Sequence, residues 1–467
     1  MQNSKFRKSL VGLAVIGALS LSACGGGGSS SSASGSLTSG VITGFGSVFV
    51  NGVEYETTGA DIMVNGVAAD ESVLEVGMVV KLRGTAAGAT GSAVSIEYND
   101  ELQGIVQQND YTASGTLTVM GLTVRIDSST IFESQVASVT GFDNIQAGNI
   151  VEVSGNRLDA NTIQATLVEV KKASHSGDEI EVKGAISNLN PTTNSFQIGT
   201  LGVDYSTVAS IPAGGLSEGL FVEVKSTQGV DASSGNLIAS RIELESNGDD
   251  GIDGDEGEEM ELSGPIGSNP TISGFSLNGT PVVIDSNTEF EHGSASAIAE
   301  GIQVKVEGTL NGNGELVAKD ISFNEASETE LQAIIDAVDA SAGTITIMGL
   351  SIKVDASTLL KDDSSNAVRY FGLDDLAAGD RVEISFYKDD TTGELMAVKL
   401  KRENSGTDKL DGTVESLGSG TIVVGGITVD LSAVSAGTLA VGDKVEISGS
   451  FDTGSGQLNA ANLSIDS

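Results

Sequence analysis

The sequence predicts an all-β protein: a tandem array of about six small antiparallel, OB-like β-barrel repeats behind a signal peptide and a flexible Gly/Ser tether. Three observations predict it. A Gly-led alternating strand returns six times along the 467 residues. Val, Ile and Thr are plentiful beside 61 Gly, with no long helical periodicity, which is a strand-and-turn profile. Asn-Gly pairs, the preferred two-residue hairpin turn, stand between short apolar runs at Asn51-Gly52 and Asn278-Gly279.

The chain opens with Lys5, Arg7 and Lys8, followed by an apolar run from Leu10 to Leu21. That run is shorter than the ~20 apolar residues of a spanning helix and reads as a signal peptide, residues 1–23. It ends Leu21-Ser22-Ala23-Cys24, and Cys24 is the single cysteine of the chain. This segment resembles the lipobox of bacterial lipoproteins, which implies cleavage before Cys24 and lipidation of its thiol. Dual acylation anchors a protein stably where one chain does not. The expected location is therefore the bacterial cell envelope. Gly25 in place of the Asp that retains lipoproteins at the inner membrane points to the outer membrane. With its one thiol used, the chain has none for a disulfide or a Cys-ligated zinc. Residues 24–36 are almost pure Gly and Ser, a composition that cannot bury enough apolar surface to fold and acts as a tether.

The recurring strand runs Gly77-Met-Val-Val-Lys-Leu, Gly148-Asn-Ile-Val-Glu-Val and Gly219-Leu-Phe-Val-Glu-Val, then Gly301-Ile-Gln-Val-Lys-Val, Gly379-Asp-Arg-Val-Glu-Ile and Gly442-Asp-Lys-Val-Glu-Ile. Each is followed by Ala-x-x-(Ile/Leu/Val), at Ala93/Ile96, Ala165/Val168, Ala239/Ile242, Ala318/Ile321, Ala397/Leu400 and Ala460/Leu463. The repeats span 37–100, 101–173, 178–246, 258–325, 328–403 and 408–467, with an acidic linker at 247–257. Within each, runs such as Leu117/Val119 and Leu122/Val124/Ile126 alternate with period two. About five or six strands in so few residues are most cheaply closed into a barrel, which leaves no free edge.

Composition restricts partners. The chain has 64 acidic and 24 basic residues, and removing Lys5, Arg7 and Lys8 takes the net charge from −40 to −43. Such a surface repels phosphate backbones, so nucleic acid is excluded as a partner class. The cluster Asn247 to Glu259 concentrates oxygens, and Asp249, Asp250, Asp253, Asp255 and Glu256 are the candidate calcium ligands. The cluster departs from EF-hand spacing and also suits a solvated linker. The recurrent Asp127-Ser-Ser-Thr130, Asp204-Tyr-Ser-Thr207, Asp285-Ser-Asn-Thr288 and Asp355-Ala-Ser-Thr358 read as Asx turns, since an enzyme would specialise one copy. His175 and His292 stand apart from each other. No nucleophile elbow, Walker-A loop or dinucleotide fingerprint is present. Catalytic residues are accordingly assigned to none.

The segments Gly40-Val-Ile-Thr-Gly-Phe-Gly-Ser-Val-Phe-Val-Asn-Gly-Val, Leu74-Glu-Val-Gly-Met-Val-Val and Gly115-Thr-Leu-Thr-Val-Met-Gly-Leu-Thr-Val resemble an exported bacterial β-domain family known as domain of unknown function 5666. The resemblance is strongest in repeats one, two, five and six. Pro191, Pro212, Pro265 and Pro281 interrupt the pattern of repeats three and four. It implies an envelope barrel repeat and carries no activity. The leading expectation is a non-enzymatic, lipid-anchored scaffold or interaction module with an unknown protein or envelope ligand. The alternatives are a calcium-dependent adhesin and an enzyme with one specialised repeat.

Overall fold

Every repeat closes through the same five strand pairings. The second shows the rule, with strands Leu102–Asp110, Thr116–Val119, Leu122–Arg125, Ile150–Asp159 and Thr162–Lys172. The first pairs with the second, the second with the third, and the third runs parallel to the fifth. The fifth returns antiparallel to the fourth, and the fourth closes on the first. This circular order, 1-2-3-5-4-1, is an OB-type barrel. The computed structural model describes residues 35–245, 254–324, 329–389, 391–435 and 437–465.

The first, fifth and sixth repeats repeat this closure in full. In the fourth, first and second strands meet through a bridge between Ile266 and Leu277. In the third, the first strand is broken into Ile180–Ala185 and Ser187–Asn190, and the fifth into Leu237–Ile238 and Arg241–Leu244. Both proline-bearing repeats are nonetheless barrels. Pro265 ends the first strand of its repeat, and Pro281 faces outward on a third strand. These are positions where the missing N–H costs little.

The expected antiparallel pairing needs one correction. The third and fifth strands are parallel in all six barrels. A five-stranded meander cannot close with an odd number of purely antiparallel pairings, so one ladder must be parallel. A short extra strand also runs parallel to the fifth in repeats one, two, four and five.

The turns form as their residues demand. Asn51 (φ 53°) and Gly52 (φ 80°) both adopt positive φ, as do Met120 (φ 48°) and Gly121 (φ 80°), which is the type I′ hairpin requirement. Alternation then points Leu117, Val119, Leu122 and Val124 inward, all fully buried. Each such side chain contributes about 1.5–3 kcal/mol when fully buried.

The barrels are not beads on a string. Repeats two and three join antiparallel through their first strands, at Glu181 with Gln103 and Val182 with Leu102. Repeats five and six join likewise over Thr329 to Gln332. Each pair shares one continuous apolar core. Repeats one and four, distant in sequence, join parallel through Leu37, Thr38 and Ser39 against Met260, Glu261 and Leu262. Repeat one also packs Ile131, Leu167 and Leu359 of repeats two and five into its own core.

Candidate functional site

The recurrent Asp and Thr are turn-builders. Asp127 Oδ1 accepts the backbone N–H of Ser129 at 2.9 Å, and Thr130 Oγ1 donates to the carbonyl of Ala165 at 2.9 Å. Asp355 accepts from Ser357 at 2.8 Å while Thr358 donates to Ala397 at 2.9 Å. Asp285 with Thr288 and Ala318, and Asp204 with Thr207 and Ala239, do the same. The acceptor is in each case the recurrent Ala. In repeats two, four and five that Ala sits at a β-bulge, where the ladder between fourth and fifth strands skips a residue, as between Leu167 and Ala165, whereas Ala239 lies in the break of its fifth strand. The bulge explains the Ala-x-x-(Ile/Leu/Val) spacing. In a regular strand, residues three apart face opposite ways; with one residue extruded, Ala165 and Val168 both face the core.

A second signal lay unread in the sequence. In repeats one, two, four and six, a second Gly stands seven residues after the Gly that leads the fourth strand: Gly84, Gly155, Gly308 and Gly449. A Cβ on Gly155 would lie 2.3 Å from the carbonyl oxygen of Gln164, and one on Gly449 would lie 2.1 Å from that of Asn459. These glycines let the bulged strands approach.

The joint between repeats two and three is charged and buried. Arg157 Nε pairs with Glu101 at 2.6 Å, and its Nη2 donates to the carbonyls of Glu101 and Lys183 at 3.3 and 3.1 Å. Lys225 bridges Glu181 at 2.8 Å and Glu223 at 3.1 Å. Burial, together with a hydrogen bond to Glu181, pushes Asp100 well above the usual carboxylate range. Burial opposes ionisation of Glu181, yet hydrogen bonds from Asp100 and Lys225 hold it low. Burial and the charge of Glu181 push Glu223 up to about 7. Beside the joint of repeats five and six, Glu383 takes Lys399 at 2.8 Å and Lys401 at 3.0 Å. Against the effect of burial, these two ammoniums hold it down to about 2.

Repeats one, two, four and five surround a cavity of about 490 Å³. Its walls include the Asn51-Gly52 turn, the Asp127 and Asp355 turns, and strand residues of repeat four such as Ser263 and Gln303. Asn156 forms part of it from the fourth strand of repeat two, buried, with Oδ1 unpartnered. No local pattern marks Asn156 in the sequence. It matters only because distant repeats converge on it.

Of the candidate ligands for calcium, Asp249, Asp250 and Asp253 lie outside the described residues, as do Cys24, the signal peptide and residues 24–34 of the tether. Asp255 and Glu256 are exposed, and the Asp255 N–H donates to Glu258 at 3.0 Å. Among the described residues, no three His, Cys, Asp or Glu side chains gather as a metal site. His175 is tied to the carbonyl of Asp178 at 2.9 Å. Among the described residues, no helix is long and apolar enough to cross a membrane.

The family model described as Domain of unknown function (DUF5666) matches residues 103–169, 263–322, 332–401 and 411–462, more than half of the chain. These are repeats two, four, five and six. The fourth is matched despite its prolines, and the first, where resemblance was expected to be strong, is not. No curated protein matches the chain. A solved structure described as drosophila Unr CSD456 is 13% identical, with a TM-score of 0.12, over 48% of this chain and 97% of that one. At that score the likeness says nothing about function.

Proposed function

The chain belongs to the family Domain of unknown function (DUF5666), and from that premise we propose that it is a non-enzymatic, lipid-anchored scaffold of the bacterial cell envelope. The observation that carries this reading is how the repeats' shared residues are used. The recurrent Asp and Thr hold turns, and the paired first strands, with buried hydrogen bonds such as that from Arg157 to the carbonyl of Lys183, lock one barrel to another. A body built this way presents a wide rigid surface at a distance set by its tether, which suits spacing and multivalent contact. Lipidation at Cys24, and attachment to the outer membrane, are part of the proposal.

The test uses the full chain and Cys24→Ala, expressed in a two-membrane bacterium with a clickable fatty-acid precursor. The wild type should take up the label and sediment with outer membrane, and the variant should do neither. An unlabelled wild type overturns the anchor. Hydrolytic or redox turnover by the purified protein, abolished by one carboxylate substitution, overturns the non-enzymatic reading. Protease shaving of intact cells then reports which side the barrels face.

A further inference from the structure

The cavity among repeats one, two, four and five is lined in a way its structural role does not explain. Its volume of about 490 Å³ falls in the ~300–1,000 Å³ range of small-molecule sites. Asn156 lines it at 2% exposure, and its Oδ1 has no hydrogen-bond partner. Thr166 Oγ1, also lining it, is likewise buried and unpartnered. Buried polar atoms are almost always paired, so each exception asks for a donor from elsewhere. Beside Asn156, Gly264 leaves the amide uncovered, since a Cβ there would stand 3.0 Å from Asn156 Oδ1. Ser263, Gln303 and Ser322 add three side chains that make no hydrogen bond within the described residues.

The charges in the wall are already answered. Lys305 Nζ is held by Glu307 at 2.8 Å and Glu261 at 3.4 Å. Asp127 accepts from its own turn through Oδ1 and from Gln164 through Oδ2 at 3.0 Å. Asp355 accepts from Ser357. With two carboxylates beside Lys305 and, among the described residues, no cation on Asp127 or Asp355, the wall is net negative and disfavours an anion. The wall also holds an apolar strip from repeat five, Leu359, Met396 and Val398, with Tyr387. Amides and hydroxyls facing an apolar strip match a molecule that carries hydroxyls on its rim and C–H groups on its face.

We propose that this cavity binds a neutral polyhydroxylated molecule the size of one or two sugar rings, with the Asn156 carboxamide accepting from one hydroxyl. This does not rest on the scaffold reading. The test takes the full chain in a detergent without a sugar headgroup. Glucose, N-acetylglucosamine, maltose and chitobiose are titrated by calorimetry and saturation-transfer NMR, with glucuronate as the charged control. At least one neutral sugar should bind saturably, more tightly than glucuronate, and about tenfold more weakly, equivalent to ~1.4 kcal/mol, in Asn156→Leu and Gln303→Ala. Gln303 is half-buried and makes no side-chain bond, so its variant keeps the test valid if Asn156→Leu does not fold. Saturable binding of none of the four, preference for glucuronate, or undiminished binding by Gln303→Ala and any folded Asn156→Leu would overturn the proposal. A long maltodextrin run beside maltose separates the sources: binding of both points to a glycan chain, and binding of maltose alone to a free solute.

Discussion

Thr130 donates its hydroxyl to the carbonyl of Ala165 at 2.9 Å, across 35 residues of chain. The bond ties the turn after the third strand to the bulge of the fifth. Thr358 repeats it with Ala397. Both threonines are buried, at 2% and 1% exposure, so removing the hydroxyl leaves a bulge carbonyl without its donor. Thr130→Val keeps the shape and should cost about 1–2 kcal/mol, read by urea unfolding. Thr358→Val should cost as much, and because the two turns share no direct bond the double variant should show near-additive losses. A neutral Thr130→Val would mean that the bulge does not depend on the tie.

The Asp and Thr of this tie were legible in the sequence, as were the Asn-Gly turns and the alternating strands. Their determinants are local: φ > 0 at Asn51 and Gly52, or a side chain reaching two residues on from Asp127. The parallel closing ladder was not legible, because nothing within Leu122–Arg125 records that its second edge meets Thr162–Lys172 rather than the strand that follows it in the chain. The Ala-x-x-(Ile/Leu/Val) repeat was visible, but its meaning depends on a bulge that only the paired strand reveals. The cavity was the least legible. Asn156 and Ser263 belong to different repeats, and pairing of repeat one with repeat four is not written in either. The Pro residues misled in the other direction. They break ladders locally at the ends and outer faces of strands, which a barrel tolerates.

Arg402 donates through Nε to Asp362 Oδ1 at 2.9 Å, and both residues are buried. Burial alone would raise the Asp362 carboxyl, but its hydrogen bonds from Arg402, Ser364 and Val368 hold it well below the usual range. A depressed folded value stabilises the protein above the unfolded pKa of about 3.9, and that contribution is lost as pH falls through the folded value. Arg402→Met, which strands the carboxylate, should cost about 3 kcal/mol near neutral pH. The stability difference between wild type and Asp362→Asn should be largest above pH 5 and narrow below pH 4. A difference that stays constant across that window rejects the ion pair as its source.

Glu223 has the opposite sign. Its folded value, raised to about 7 by burial and by Glu181, lies above an unfolded value of about 4.3. The contribution is therefore fully present below that unfolded value and is lost as pH rises to about 7. Wild type minus Glu223→Gln should decline in stability over this interval and level off above pH 8. Hydrogen exchange in Phe221–Ser226, followed at pH 5 and pH 8, locates the effect to the joint. A flat difference would show that Glu223 is charged throughout.

Arg369 tests whether the barrels act as one body. From repeat five, its guanidinium lies 3.9 Å from the centroid of the Phe45 ring in repeat one, and donates to the carbonyls of Leu74 at 2.9 Å and Glu71 at 2.6 Å. A cation over an aromatic face contributes about 0.5–2 kcal/mol when partly desolvated, and the two carbonyls lose their donors along with it. Arg369→Ala should therefore speed hydrogen exchange around Glu71–Val73 by at least about tenfold, the factor equivalent to 1.4 kcal/mol. Arg369→Lys should rescue little, because an ammonium cannot stack on the ring and fork to two carbonyls together. Calorimetry adds the decisive reading. If the wild type melts in one transition and Arg369→Ala in two, repeat one is coupled to the rest through this contact. If the wild type already melts in several steps, the barrels unfold independently, and a rigid surface cannot be the basis of the scaffold.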